Sequence, residues 1–203
     1  MKAISLDIET LDTSTSSVVL SIGAVVVTAD GVDPTRTFYK RLAIQEQINA
    51  QRTISESTLR FWMAQHADVR ENTWGSAVHG TLGQPVRFVL ESLKDWVRDQ
   101  GRTSVPVYVK GPQFDAAIID DLADTFAIER PIHYRQWRDV RTVEDVLRMS
   151  GHGDTLAMKQ DARPTTMAHD ALADAVMQGD AISLLLRLLR DRVNEEPEAG
   201  ASE

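Results

Sequence analysis

The chain contains no cysteine. That absence excludes a disulfide framework, a thiolate metal site and a thiol nucleophile, and it favours a reducing compartment, with the cytoplasm as the default expectation. Nor is there an uninterrupted apolar run of roughly 18 residues, so no segment reads as a membrane-spanning helix. The first apolar run is broken by Asp7 and Glu9, which excludes a signal-peptide reading of the N-terminus. Basic residues are few, 22 Lys and Arg against 30 Asp and Glu, giving a formal net charge of −8. This argues against a protein that grips nucleic acid over a broad basic face, because that mode needs many Lys and Arg contacts to phosphate. A metal-dependent enzyme acting on nucleic acid is compatible with the balance. Bound cations then supply the local positive charge, and part of the acidic excess is the metal site itself.

What is present begins with Lys2 to Leu11, Lys-Ala-Ile-Ser-Leu-Asp-Ile-Glu-Thr-Leu. Ala3, Ile4 and Leu6 make an apolar strand, and Asp7 and Glu9 follow two positions apart. In an extended chain such residues point to the same side, so two carboxylates are presented in parallel. They repel unless a cation sits between them, and hard divalent ions such as Mg²⁺ and Mn²⁺ prefer oxygen ligands of this kind. An isolated Asp-X-Glu is also compatible with a strand end carrying solvated acids, so partners elsewhere must decide.

The pattern further along predicts a mixed α/β architecture. Val18 to Thr28 reads as a second, β-branched strand, Ala29 to Pro34 as a turn and Thr37 to Leu42 as a third strand, together an antiparallel meander. Ser55 caps a helix to about Ala67, Asn72 to Gln84 is a glycine-containing loop, and Pro85 opens a helix to about Gln100. Val105 to Val109 is a strand, Asp115 to Phe126 a helix, Ile132 the start of a short extended segment and Val143 to Met149 a brief helix. A long helix runs from about Asp170 to Val193. At 203 residues the chain fits one domain, residues 1–193, with the acidic segment 194–203 expected to be disordered.

Two further acidic positions fall at junctions where a sheet-based site gathers residues. Asp115 follows the Val105 to Val109 strand at a helix start, where it serves either as a helix cap or as a site carboxylate. In Ala168-His-Asp-Ala-Leu-Ala-Asp174, Asp170 and Asp174 lie one turn apart on one helix face and His169 stands at its mouth. Each has an ordinary explanation alone; together they are far more specific.

Asp7-Ile-Glu9, Phe114-Asp115 and His169 with Asp174 resemble, in order, the three exonuclease motifs of the DEDDh 3′–5′ exonucleases. Leu6 to Leu11, Thr58-Leu-Arg-Phe-Trp62 and Trp137-Arg-Asp-Val-Arg-Thr142 are similar to the subgroup holding the Rv2179c-like exoribonucleases and the phage exonuclease DexA. The resemblance spans most of residues 3 to 180. It implies an RNase H-like mixed sheet flanked by helices, and a metal-dependent 3′–5′ exonuclease acting on single-stranded nucleic acid or 3′ overhangs, RNA preferred. It assigns Asp7 as a ligand shared by two divalent cations, Mg²⁺ or Mn²⁺, with Glu9 and Asp174 completing one site and Asp115 supporting the other. His169 becomes the general base, for which an imidazole titrating near about 6.5 is suited. Leu11 matches the family's apolar wedge beside the terminal base, or is an ordinary buried leucine. Trp62 is a base-stacking ring or a core residue. Arg138 and Arg141, in the aromatic-interleaved run from His133, contact phosphate or form a solvated basic face. A homodimer is compatible with the family. The rival readings are an exodeoxyribonuclease of the same fold, a silent nucleic-acid-binding module and a metal-binding structural protein.

Overall fold

The computed structural model describes residues 1–74, 83–101, 104–154 and 169–195. A five-stranded sheet runs in the order β3-β2-β1-β4-β5. Its strands are β1 (Lys2–Thr10), β2 (Val19–Thr28), β3 (Gly31–Arg41), β4 (Val107–Val109) and β5 (Trp137–Asp139). β1 pairs antiparallel with β2 and β2 with β3, whereas β4 and β5 add in parallel. The expected RNase H-like mixed sheet is therefore present.

Every residue of β2 except Thr28 is buried, because helices cover both faces of the sheet; that is why its sequence reads as nearly continuous apolar residues rather than alternating ones. On one face Ile4, Leu6, Ile8 and Ile22 pack with Val89, Leu90 and Leu93 of α4 (Val86–Asp99) and Ile118, Ile119 and Leu122 of α5 (Asp115–Thr125). On the other, Ala3, Val25 and Val27 pack with Ala175, Ile182 and Leu186 of the long helix, here α7 (Ala171–Glu195). The remaining helices are α1 (Ile44–Asn49), α2 (Glu56–Ala64), α3 (Ala67–Trp74) and α6 (Val140–Met149).

Several boundaries differ from the sequence expectation for identifiable reasons. Gly31, with φ of +138°, permits a tight β2–β3 turn, so β3 begins there and not at Thr37. The turn chemistry read at Asp33-Pro34 is real but sits inside the strand. Pairing jumps from Asp33 opposite Val26 to Thr37 opposite Val25, and the Asp33 carboxylate accepts the Thr35 N–H across the extruded residues. β4 starts at Val107 because Pro106 has no N–H to give the ladder. α6 begins three residues early, capped by Asp139, whose carboxylate accepts the Arg141 N–H. Ser55 caps α2 as expected, accepting from Thr58 N–H, but the helix stops at Ala64 and resumes as α3. Residues 72–74 belong to α3, and the rest of the loop expected there, up to residue 82, lies outside the described residues, as does the tail from 196. Asn194 and Glu195 remain helical. The short helix α1 carried no clear signal. It holds Gln47 against β2, where the side-chain amide both donates to and accepts from Val19.

Candidate active site

The C-terminal half of β1 presents Asp7 and Glu9 on the face that α7 covers. What lets α7 come so close is Gly23, which sits opposite Asp7 in β2. A Cβ there would lie 2.2 Å from the Leu172 nitrogen and 2.3 Å from the Ala171 carbonyl carbon, so the first turn of α7 rests directly on the backbone of the sheet. That contact delivers His169 and Asp174 to the end of β1. Ligating atoms of Glu9, His169 and Asp174 all fall within 4.8 Å of one another.

Asp115 arrives from the other side, at the first position of α5. It is not a helix cap: the capping position is Phe114, which makes no side-chain cap bond. The Asp115 carboxylate, 3% exposed, accepts its own backbone N–H and that of Ile8, the second of which ties it to the end of β1. Burial pushes its titration up to about 7, while its own N–H, the Ile8 N–H and the Arg141 guanidinium pull it back. Asp7 is raised well above the ordinary carboxylate range, first by burial and then by repulsion from Asp115, Glu9 and Asp174. That shared repulsion brings the four carboxylates named from the sequence into one electrostatic unit.

At the mouth of α7 the two neighbouring acids separate into different roles. Asp170 caps the helix, its Oδ1 accepting the Ala173 N–H at 3.0 Å, which leaves Asp174 as the member of the pair that faces Asp7. His169 adopts a left-handed backbone, φ +63°, uncommon for a residue with a side chain. Its carbonyl accepts a 3.0 Å hydrogen bond from Thr73 Oγ1, and the edge-on ring of Phe61 packs against the imidazole at 4.8 Å. Thr73, Phe61 and Gln178, whose amide donates a 2.7 Å bond to Asp7 Oδ1, were not singled out in the sequence. Gln178 carried a signal that could have found it, because it lies four positions after Asp174 and so on the same face of α7.

The residues proposed for substrate contact divide. Leu11 and Trp62 are 1% and 2% exposed and pack with Val18, Leu20 and Val69. The Trp62 indole N–H is spent on the Thr10 carbonyl. Leu11 is thus a buried leucine, one of the two readings the sequence allowed, and Trp62 is packed into the core while still edging the groove beside the acids. The aromatic surface beside the acids is Phe61, 40% exposed. It joins Ile8, Glu9, Thr10, Asp12, Thr13, Ser57, Thr58, Trp62 and Phe114 around a groove of about 330 Å³. A larger cavity of about 980 Å³, between α4 and residues 129–136, lies at the opposite end of β4 and β5 and contains none of the acids; the smaller groove is the one that matters for chemistry. Arg141 does belong to the site. Its guanidinium occupies the space a side chain at Gly111 would need, with Nη1 2.3 Å from that position, and it acts on Asp115. Arg138 is exposed and bonds to the carbonyls of Arg135 and Trp137; it does not join the carboxylate cluster.

Comparison with known proteins gives the family and the fold. The family model described as the 3′-5′ exoribonuclease Rv2179c-like domain matches residues 2–186. No curated protein matches the chain. Among solved structures, cell-death related nuclease 4 (CRN-4) superposes with a TM-score of 0.63 at 14% identity, over 92% of this chain and 64% of that one. The chain thus spans less than two thirds of that neighbour's length. The nuclease domain of 3′hExo, a DEDDh family member bound to rAMP, gives 0.60 at 14% identity over 94% and 92% of the two chains. A full-length 3′-exonuclease gives 0.57 at 11% identity over 94% and 82%. At these identities the likeness is one of fold.

Proposed function

Since the chain belongs to the Rv2179c-like 3′–5′ exoribonuclease family, we propose that it is a divalent-metal-dependent 3′–5′ exonuclease that takes RNA in preference to DNA and releases nucleoside 5′-monophosphates. The observation that carries the reading is the convergence of Asp7, Glu9, Asp115 and Asp174 at one end of the sheet, with His169 beside them.

The donor set fits the cations that the family implies. It consists of carboxylate oxygens, the ligands of hard divalent ions. Their mutual repulsion at Asp7 is what a bound cation relieves. Asp7, Glu9 and Asp174 would hold one ion, and Asp7 with Asp115 a second, Mg²⁺ or Mn²⁺. Bound there, such ions supply stabilisation of the charge that builds on phosphate oxygens and acidify water.

The rest of the work falls to the chain itself. The groove beside Glu9, with Phe61 as its apolar side and Ser57, Thr58 and Asp12 as polar ones, takes the terminal nucleotide and aligns its phosphodiester with the acids. His169 accepts the proton of the attacking water. The bond broken is that from phosphorus to the 3′ oxygen, which leaves as the hydroxyl of the shortened strand while the phosphate stays on the released 5′-mononucleotide. Arg141, next to Asp115, is placed to meet a phosphate. The preference for RNA is supported by the family's description and by the ribonucleotide in the 3′hExo nuclease domain.

The test uses 5′-labelled single-stranded RNA, single-stranded DNA and duplexes with 3′ overhangs, incubated with Mg²⁺ or Mn²⁺ and then with EDTA. A metal-dependent ladder shortening from the 3′ end, faster on RNA, is expected. No metal-dependent loss of 3′ nucleotides from any substrate would overturn the reading, and a faster ladder on DNA would overturn the substrate preference.

A further inference from the structure

We infer that Gln178 is a positioning residue for the metal site, holding the Asp7 carboxylate in its ligating orientation without lending the site any positive charge; this rests on the exonuclease reading above. Asp7 stands among three other acids that repel it. With nothing to hold it, its carboxylate would swing away from Glu9, Asp174 and Asp115, and each cation would have to pull it back on binding. The Gln178 amide, 5% exposed, opposes that motion through a 2.7 Å hydrogen bond from Nε2 to Oδ1. Held at Oδ1 by the amide, the carboxylate cannot rotate freely away from the other acids.

The residue type is informative. Lys or Arg at 178 would make a stronger bond to Asp7, but it would also compete with the cations for the same charge. Glu would add one more repelling acid. Asn on the same helix turn would fall short by a methylene. Gln is the neutral donor of sufficient reach. Its other end makes a packing role less adequate as an explanation, since Oε1 is buried with no hydrogen-bond partner among the described residues. An amide retained only for stability would be expected to satisfy both of its ends. Here the acceptor is left over, and the donor is committed to the one carboxylate both ions would share. Residues that orient a ligand in this way commonly matter about ten- to a hundredfold in metal affinity.

The experiment measures Mn²⁺ binding by isothermal titration calorimetry to the substrate-free full chain, for wild type, Gln178→Leu and Gln178→Asn. Circular dichroism and thermal melting in EDTA serve as checks of folding. Mn²⁺ affinity about ten- to a hundredfold weaker in both variants is expected, with turnover recovering as Mn²⁺ is raised. Should Gln178→Leu fail to fold, Gln178→Asn keeps the buried amide and still withdraws the donor. Folded variants that bind Mn²⁺ within about twofold of wild type overturn the assignment while leaving the exonuclease reading intact. A wild-type protein that binds no Mn²⁺ overturns both.

Discussion

Asp115 offers the sharpest test of the electrostatics, because its effect on stability reverses with pH. In the metal-free protein burial moves this carboxyl from its ordinary 3.8 to about 7. Between these values the folded chain holds a proton that the unfolded chain has released. Stability from this group is therefore fully present below about pH 4 and is lost as pH rises through 7; the loss amounts to about 4 kcal/mol. Asp115→Asn removes the ionisation while keeping an oxygen that can accept the Ile8 N–H. It also relieves Asp7, which Asp115 repels, so the two effects add in one direction. In urea unfolding with EDTA present, the variant should gain on wild type progressively from pH 5 to pH 8, by about 3 kcal/mol. The slope is the quantity to compare, since any cost of the altered contact is the same at both ends. Adding Mn²⁺ at pH 8 should invert the order, stabilising the wild type by mass action and the variant much less. Parallel pH profiles for the two proteins in EDTA would refute this account of the site.

Three other substitutions separate roles that the sequence left entangled. His169→Ala should lower turnover by about 10² to 10⁴ with little change in Mn²⁺ affinity; an affinity that falls in step with turnover would make His169 a ligand and not a base. Asp170→Ala should cost about 1 kcal/mol of stability through loss of the α7 cap and leave turnover near wild type, whereas Asp174→Asn should abolish detectable turnover; equal losses of activity would erase the distinction. Gly23→Ala puts a methyl 2.2 Å from the α7 backbone, so melting should reveal a loss of about 1–3 kcal/mol and kcat/KM should fall by about a hundredfold as His169 and Asp174 shift from Asp7. Wild-type activity in that variant would show that α7 can slide without disturbing the site.

How much of this was legible before the coordinates depended on whether chemistry and geometry coincide in a short stretch. Asp7 and Glu9 advertise themselves by strand periodicity, and His169 with Asp174 by helical spacing, so the acidic cluster could be assembled from three segments. The choice between Asp170 and Asp174 could not be made from spacing alone, because both share a helix face. It is decided by which residue the helix uses to satisfy the N–H of Ala173. Leu11 and Trp62 stay open between core and substrate in the sequence for a related reason. An apolar side chain near a motif serves a base or a core equally well until burial is known, and here Leu11 packs with Trp62 of α2 and Val69 of α3. The β3 boundary failed because the Asp33-Pro34 signal marks an interruption in the pairing, which local turn chemistry cannot distinguish from a strand's beginning. Thr73 had no signal at all. Its bond to His169 spans 96 positions and arises from tertiary packing alone.

The link between Gln178 and Asp7 joins residues 171 positions apart, and this separation has a consequence for how the protein comes into being. β1 and β2 pair locally and can form early during synthesis, but the acids they carry have no Asp174, no His169 and no Gln178 until the last long helix has been made and docked. A chain still being translated therefore holds only one wall of the site, so a nuclease whose own messenger is an RNA gains its cutting centre only after that message has been read nearly to the end of the helix. A truncation ending before Ala171 should accordingly be inert towards RNA at any metal concentration, and addition of the separate α7 segment in excess should be the condition for any recovered cleavage.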